Sequence, residues 1–231
     1  MGLQKKKAEL HVGEVVRAPA HAQVYEQLRD LILSGDLVPG QAVTIQGLTQ
    51  LLGAGMTPVR EAIRRLISDG ALVSQGNRRV SVPQLGERDI EQLIFVRKST
   101  ETELARRAAE RIDRAGITEL SRIDADLDRA IAAGDIKGYL QSNHAFHAAL
   151  YSWAEAPIMT EIVERLWLRF GPSLRVVCGR FGTENLPDMH KDILAALREG
   201  DADKAAAAME ADVIQGMEQI ARALRGFGTT S

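Results

Sequence analysis

Apolar residues recur at helical spacing between about His21 and Ser34, at Val24, Leu28, Leu31 and Ile32, and Gly35 ends the run. Residues 36–40, Asp-Leu-Val-Pro-Gly, then make a turn, because proline and glycine break a helical pattern. A second, short helix is predicted at about Ile45 to Leu52, closed by Gly53 and Gly55. Thr57 suits an N-cap and Pro58 a first helical position, so a third helix is predicted from there to Asp69-Gly70. Its stripe of Val59, Ala62, Ile63, Leu66 and Ile67 turns inward and leaves Arg60, Arg64 and Arg65 on the other side. Two extended runs, 71–74 and 79–82, flank Gln75-Gly76-Asn77-Arg78 as a hairpin. Helix, helix, turn, helix and hairpin compose a winged helix-turn-helix.

From Glu87 onward the strand signal vanishes. Long stretches rich in Ala, Leu, Arg and Glu, broken at Gly116, Gly134, Pro157, Gly171-Pro172, Pro187 and Gly200, predict about six helices in a bundle of roughly 140 residues. The expected fold is therefore mostly α, with three helices and a β-hairpin followed by an all-α bundle. The expected divisions are a flexible tail over 1–18, the winged domain over 19–84, the helical domain over 85–226 and a second tail over 227–231.

Composition narrows the setting. The chain has 231 residues, 45% of them hydrophobic and 26% charged, as in an ordinary globular protein. No run of about 18 apolar residues occurs, and the basic stretch Met1 to Lys7 precedes no apolar segment, so neither a membrane span nor a signal peptide is expected and the cytoplasm is the expected location. The single cysteine, Cys178, can form no internal disulfide and is expected to be packed. Residues 1–85 hold ten Lys/Arg against seven Asp/Glu, whereas 86–231 hold nineteen against twenty-four. A basic front and an acidic back turn the front toward phosphate.

In a helix-turn-helix the third helix enters the major groove N-terminus first, while neighbouring donors hold phosphates. Arg60, one turn into that helix, is placed to grip a guanine or a phosphate. Thr57 would offer a hydroxyl and nearby backbone N–H groups to a phosphate, and Asn77, Arg78 and Arg79 would carry a wing to the backbone or minor groove. Arg64 and Arg65 suit DNA contact and a solvated helix face about equally. These residues, with Ser34-Gly35-Asp36-Leu37-Val38-Pro39-Gly40, the run Thr57 to Leu66 and Asp69-Gly70-Ala71-Leu72-Val73, resemble the GntR family of regulators. Two departures bear on the operator: Gly55-Met56 stands where the family usually has Ser-Arg, and Gln46 stands where some members use arginine. The resemblance implies a homodimer on double-stranded DNA with palindromic half-sites about one helical turn apart.

The helical half holds a second constellation. Asn143 and His147, four apart on one predicted helix, leave the same face, and a bundle can bring His190 and Asp212 to them from two later helices. Two imidazoles, a carboxylate and an amide oxygen suit a borderline divalent ion such as zinc, nickel or manganese. A histidine on a helix is also commonly a packed polar residue, and spacing alone leaves both readings open. Val96-Arg97 with Glu101, the Asn143/His147 pair, the segment Met189 to Leu197, and Met209 three residues before Asp212 resemble the FCD domain of the FadR branch of that family. In its metal-containing members an Asp or Asn, a His four residues on and two further histidines hold the ion. Asn143, His147 and His190 fit, and Asp212 stands where the last histidine is expected. The swap keeps one negative charge in the set, but aspartate is shorter, so the helix or a bridging water must close the gap.

The resemblance further implies a carboxylate effector beside the ion, met by Arg97 in a bidentate pair; the plainer role for Arg97 is a pair with Glu101 four residues on, and the two roles can coexist. His144, about 100° around the helix from Asn143, is expected to border the pocket or to face solvent. Trp153, Trp167 and Phe170 are expected in the core. The function expected is therefore a DNA-binding repressor, not an enzyme, tuned by a small carboxylated metabolite. A metal-free sensor of acyl or apolar ligands is the alternative within that class. A metal-dependent hydrolase would use His147, His190 and Asp212 on a bound water, but the chain has no His-Glu-x-x-His run, nucleophile elbow or phosphate-cradling glycine loop. A nucleoid protein would need the basic surface but not the ligand set.

Overall fold

A computed structural model describes residues 19–76, 79–183 and 189–225. The tails expected over 1–18 and 227–231, the wing residues Asn77 and Arg78, and the break at Pro187 lie outside the described residues.

The winged domain is built from α1 (Ala20–Leu33), β1 (Ala42–Val43), α2 (Ile45–Leu52), α3 (Met56–Ser68), β2 (Val73–Gln75) and β3 (Arg79–Ser81). Thr44 caps α2 by accepting from the Gly47 N–H at 3.0 Å, and Gly53 ends it in the left-handed conformation at φ 58°. The start of α3 departs from expectation. Gly55 is the N-cap, its carbonyl receiving the Val59 N–H, and Thr57 makes no capping bond. Pro58 still fits one turn in, because N–H groups there have no partner within the helix to lose. The first hairpin strand also starts later than expected, whereas the second starts at Arg79 as expected. Ala71 and Leu72 turn back to bond the Leu66 carbonyl and bury in the core, so β2 begins at Val73. The two-residue β1, absent from the sequence expectation, joins an antiparallel sheet in the order β1-β3-β2, with Val43 opposite Val80 and Ser74 opposite Val80 on the other side.

Six further helices follow among the described residues, as expected: α4 (Glu87–Ala109), α5 (Arg114–Ala133), α6 (Ile136–Ser152), α7 (Pro157–Phe181), α8 (His190–Glu199) and α9 (Ala202–Arg225). Gly134 and Gly200 end α5 and α8 in the left-handed conformation, and Asp113 and Asp135 cap α5 and α6. Gly116 is not a break. It lies in the first turn of α5 against Trp153, and a Cβ there would stand 2.6 Å from the indole. Gly171-Pro172 is not a break either, since α7 runs through it. Pro172 removes one backbone hydrogen bond and strains the turn before it, but residues 170 to 174 are all buried, and their packing outweighs the local preference. α1 packs beside this stretch, with the Leu33 side chain at ordinary contact distance, 3.6 Å, from where a Gly171 Cβ would be.

α7 belongs to both halves. Leu168 is part of the winged-domain core, while Val163, Trp167, Phe170, Leu174 and Val177 are part of the bundle core. Around Leu168, Arg165 Nε lies 3.6 Å from Asp69 and Glu164 lies 3.4 Å from Arg29 of α1. Farther along, the Arg175 side chain packs on Gly35, which is held at φ 71° with no space for a Cβ, and Lys137 of α6 bonds Asp36 at 2.7 Å.

Candidate metal and effector site and DNA-facing surface

Four helices enclose a cavity of about 40 Å³ inside the bundle, lined by Arg97 from α4, Tyr139, Asn143 and His147 from α6, Trp167, Phe170 and Leu174 from α7, and Asp212 and Gly216 from α9. The α6 contribution follows from spacing, because residues 139, 143, 147 and 151 are one helical turn apart and share a face. His190 comes from the first turn of α8, fully buried, its ring stacked on Phe146 with centroids 3.8 Å apart.

Three donor groups converge. His147 Nε2 lies 3.3 Å from Asp212 Oδ2 and 3.4 Å from His190 Nε2, and one ligand atom from each residue falls within 4.8 Å of the others. Two ligands about 2.1 Å from one ion at a tetrahedral angle stand about 3.4 Å apart, so the spacing fits a metal-sized cation. The chemistry fits as well, since electron pairs from two imidazoles and a carboxylate face one another in a space shielded from water. Asp212 therefore reaches its partners by its own side chain, and the gap left by the shorter residue is closed on the His147 side. Its second oxygen faces the Met189 N–H at 3.4 Å. Burial alone would raise the Asp212 carboxyl, but His147, His190 and Arg97 around it hold it well below the usual carboxylate range. Asn143 lines the same cavity.

Behind the donors stand groups that sequence reasoning did not single out. The Tyr151 hydroxyl is 2.9 Å from His147 Nδ1 and donates to Glu101. Asp124 of α5 lies 3.5 Å from His190 Nδ1; burial pushes its carboxyl up, but the His190 hydrogen bond and Lys191 hold it down. Tyr151 could have been found from its helical spacing with His147. Asp124 had no local signal, because its neighbour is 66 positions away.

The effector residues divide. Arg97 and Glu101 are both buried and paired to each other, Nε to Oε1 at 2.5 Å and Nη2 to Oε2 at 3.0 Å, so the intrahelical pair is formed. Arg97 nevertheless lines the cavity, its guanidinium 3.9 Å above the Phe170 ring. Burial works against its charge, but Glu101 prevails and holds the guanidinium protonated. His144 is a correction, since it does not line the cavity. The rotation around α6 turns it to the back of Trp167, edge-on at 5.1 Å, and burial, helped by the charge of Arg29, pushes its imidazole down to about 4. Trp167 and Phe170 are core residues as expected and also form the cavity wall.

On the winged domain Thr57 and Arg60 are exposed on the first turns of α3, Gln46 on the first turn of α2 and Arg79 at the start of β3. Arg64 is exposed and paired with Glu61 at 2.8 Å. Arg65 is drawn toward α1, its guanidinium 3.7 Å over the Tyr25 ring and 4.0 Å from Asp69, so packing as well as solvent occupies it.

A winged helix-turn-helix with exposed polar residues on its reading helix, seated on a bundle with a buried polar cavity, defines a two-domain DNA-binding regulator. The chain belongs to the GntR family of bacterial regulatory proteins: residues 20–82 match that family and residues 92–215 match the FCD domain. The HTH-type transcriptional regulator McbR of Escherichia coli strain K12 is 30% identical over 193 residues, 82% of this chain and 87% of that protein. The transcriptional repressor RspR of the same organism is 25% identical over 211 residues, 90% of each chain. The solved structure of E. coli McbR/YncC superposes with a TM-score of 0.81 at 28% identity, covering 91% of this chain and 99% of that one. A GntR-type structure from Rhodococcus sp. RHA1 shares the fold, with a TM-score of 0.72 at 23% identity over 87% and 97% of the two chains. These relatives are transcription regulators, not enzymes, so the hydrolase alternative falls away. No helix among the described residues is long and apolar enough to cross a membrane.

Proposed function

We propose that this regulator is a cytoplasmic homodimer that represses from palindromic half-sites and changes its DNA affinity when a small carboxylate binds beside a divalent ion in the helical domain. The observation that carries this reading is the convergence of His190 with His147 and Asp212 at the edge of a cavity whose Trp167 and Phe170 wall belongs to the same helix that inserts Leu168 into the winged-domain core. A ligand that displaces that wall acts on the seat of the DNA-binding domain directly. Such a ligand shifts the regulator only by the difference in its affinity for the two arrangements.

His147, His190 and Asp212, with Asn143 beside them, would hold the ion; zinc, nickel and manganese all suit two imidazoles and a carboxylate. The bound ion supplies a positive centre for an anionic ligand. Arg97, which lines the cavity while paired with Glu101, supplies a second, and Phe170 and Leu174 exclude water. A cavity of about 40 Å³ holds little more than a water or two and favours a compact acid over an acyl chain. On the winged domain Thr57, Arg60 and Gln46 would face the major groove, with Arg64 and Arg79 flanking on the backbone.

The test is elemental mass spectrometry of purified protein, wild type beside His190→Ala, followed by fluorescence anisotropy on a duplex selected from random sequence, with and without small carboxylic acids. About one equivalent of metal per chain, lost in the variant, with an acid that changes duplex affinity only in the wild type, is the expected result. Protein purified without chelator that carries no metal and takes up none added overturns the metal-organised pocket.

A further inference from the structure

We infer that Tyr151 is a positioning residue that fixes the tautomer of His147, so that Nε2 is the atom presented to the cavity. The reasoning is a proton count along one buried chain of hydrogen bonds. Arg97 has only donors, and it spends Nε and Nη2 on the two oxygens of Glu101. Glu101, engaged by arginine at both oxygens, can only accept from its next neighbour, which is the Tyr151 hydroxyl. That hydroxyl has one proton, and it goes to Glu101. What remains for His147 is a lone pair on the tyrosine oxygen, 2.9 Å from Nδ1, so Nδ1 must carry a proton to complete the contact. On a neutral ring Nε2 then points at Asp212 and His190 with its electron pair available.

The hydroxyl is suited to this task. It is buried between the Glu101 carboxylate and His147 Nδ1, with a proton for the one and a lone pair for the other. Without the hydroxyl the balance reverses. Nδ1 would lose its acceptor, while Nε2 would still face the Asp212 carboxylate at 3.3 Å and would take the proton as a hydrogen-bond donor. In that tautomer the atom needed for coordination is blocked. An outer hydrogen bond that orients a metal-binding imidazole in this way is typically worth 10- to 100-fold in affinity. The chain also ties Arg97, at the effector end, to His147 through only two intervening side chains.

The inference deepens the metal-pocket reading, and two independent readouts keep them apart. The first is the two-bond ¹H–¹⁵N histidine spectrum of chelator-treated protein at pH 8, wild type beside Tyr151→Phe. His147 Nδ1 is expected to be protonated in the wild type and to surrender its proton to Nε2 in the variant. The second is calorimetric titration of both proteins with zinc alone, where the variant is expected to bind about 10- to 100-fold more weakly. A wild-type spectrum with Nδ1 unprotonated overturns the inference, whatever metal does and whether or not the variant folds. Equal zinc affinity in two folded proteins overturns it as well. If neither protein binds zinc, yet the proton moves as stated, the positioning role stands and the metal reading fails.

Discussion

Replacing Glu101 by Ala strikes the point on which the helical domain is most dependent electrostatically. Arg97 is 3% exposed and Glu101 is fully enclosed, so the truncation leaves a guanidinium in the bundle without its two hydrogen bonds. Removing one partner of a buried ion pair costs about 3–5 kcal/mol, because the remaining charge keeps its desolvation penalty without compensation. The stack on Phe170 at 3.9 Å is present in both proteins and so does not reduce the difference. For a chain of this size each kcal/mol moves Tm by about 2–4 °C, so thermal unfolding followed by far-ultraviolet circular dichroism should show a fall of about 6–20 °C. The variant also opens a carboxylate-shaped vacancy beside a waiting guanidinium. Acetate should therefore stabilise it, by about 2.7 kcal/mol at a hundredfold excess over its dissociation constant, and raise its Tm more than that of the wild type. A double variant, Arg97→Met with Glu101→Leu, removes both charges and should recover most of the loss. A Glu101→Ala protein that loses less than about 1 kcal/mol and ignores acetate would refute the reasoning, since Arg97 would then be reaching water.

Two further outcomes follow from the winged domain. Arg60→Ala should weaken binding to a selected duplex by about 1–3 kcal/mol in anisotropy at fixed salt, while metal content and effector response stay as in the wild type; unchanged affinity would remove α3 from the major groove. Tyr25, pushed up to about 12 by burial and by its hydrogen bond to Asp69 at 2.8 Å, keeps its proton in the fold where the unfolded chain releases it near 10. Its stabilisation is therefore complete below pH 10 and is lost as pH rises toward 12, a slope on the order of 2 kcal/mol that Tyr25→Phe should abolish in urea titrations at each pH, at a neutral-pH cost of about 1 kcal/mol.

The architecture was legible because its signals are local. Apolar spacing in α1, α2 and α3 and the left-handed glycines that close α2, α5 and α8 act within a turn or two of the residues they govern. What the sequence concealed was decided by distant partners. β1 exists because Val43 meets Val80 across the sheet, and two residues within a turn-like stretch carry no strand period of their own. At Gly171-Pro172 the local preference to stop is real, but it is overruled by burial between α1 and the bundle, so a helix predicted as two pieces is one. Gly116 misleads in the opposite sense, because it is small to admit Trp153 and not to end a helix.

The same division runs through the site. Asn143 and His147 announce a shared face by their spacing, but periodicity along one helix says nothing of whether His190 and Asp212, from two other helices, arrive at the same point. Resemblance proposed that meeting and also raised its weakest point, the aspartate in place of a histidine. The 3.3 Å approach of Asp212 to His147 brings the shorter side chain up to one of the two imidazoles. It also explains why the groups behind the donors matter more here than spacing suggests. With only two imidazoles in the set, the neighbours of each ring's outer nitrogen weigh more heavily, and these are Tyr151 and Asp124, residues of ordinary type whose placement appears only when the helices are assembled.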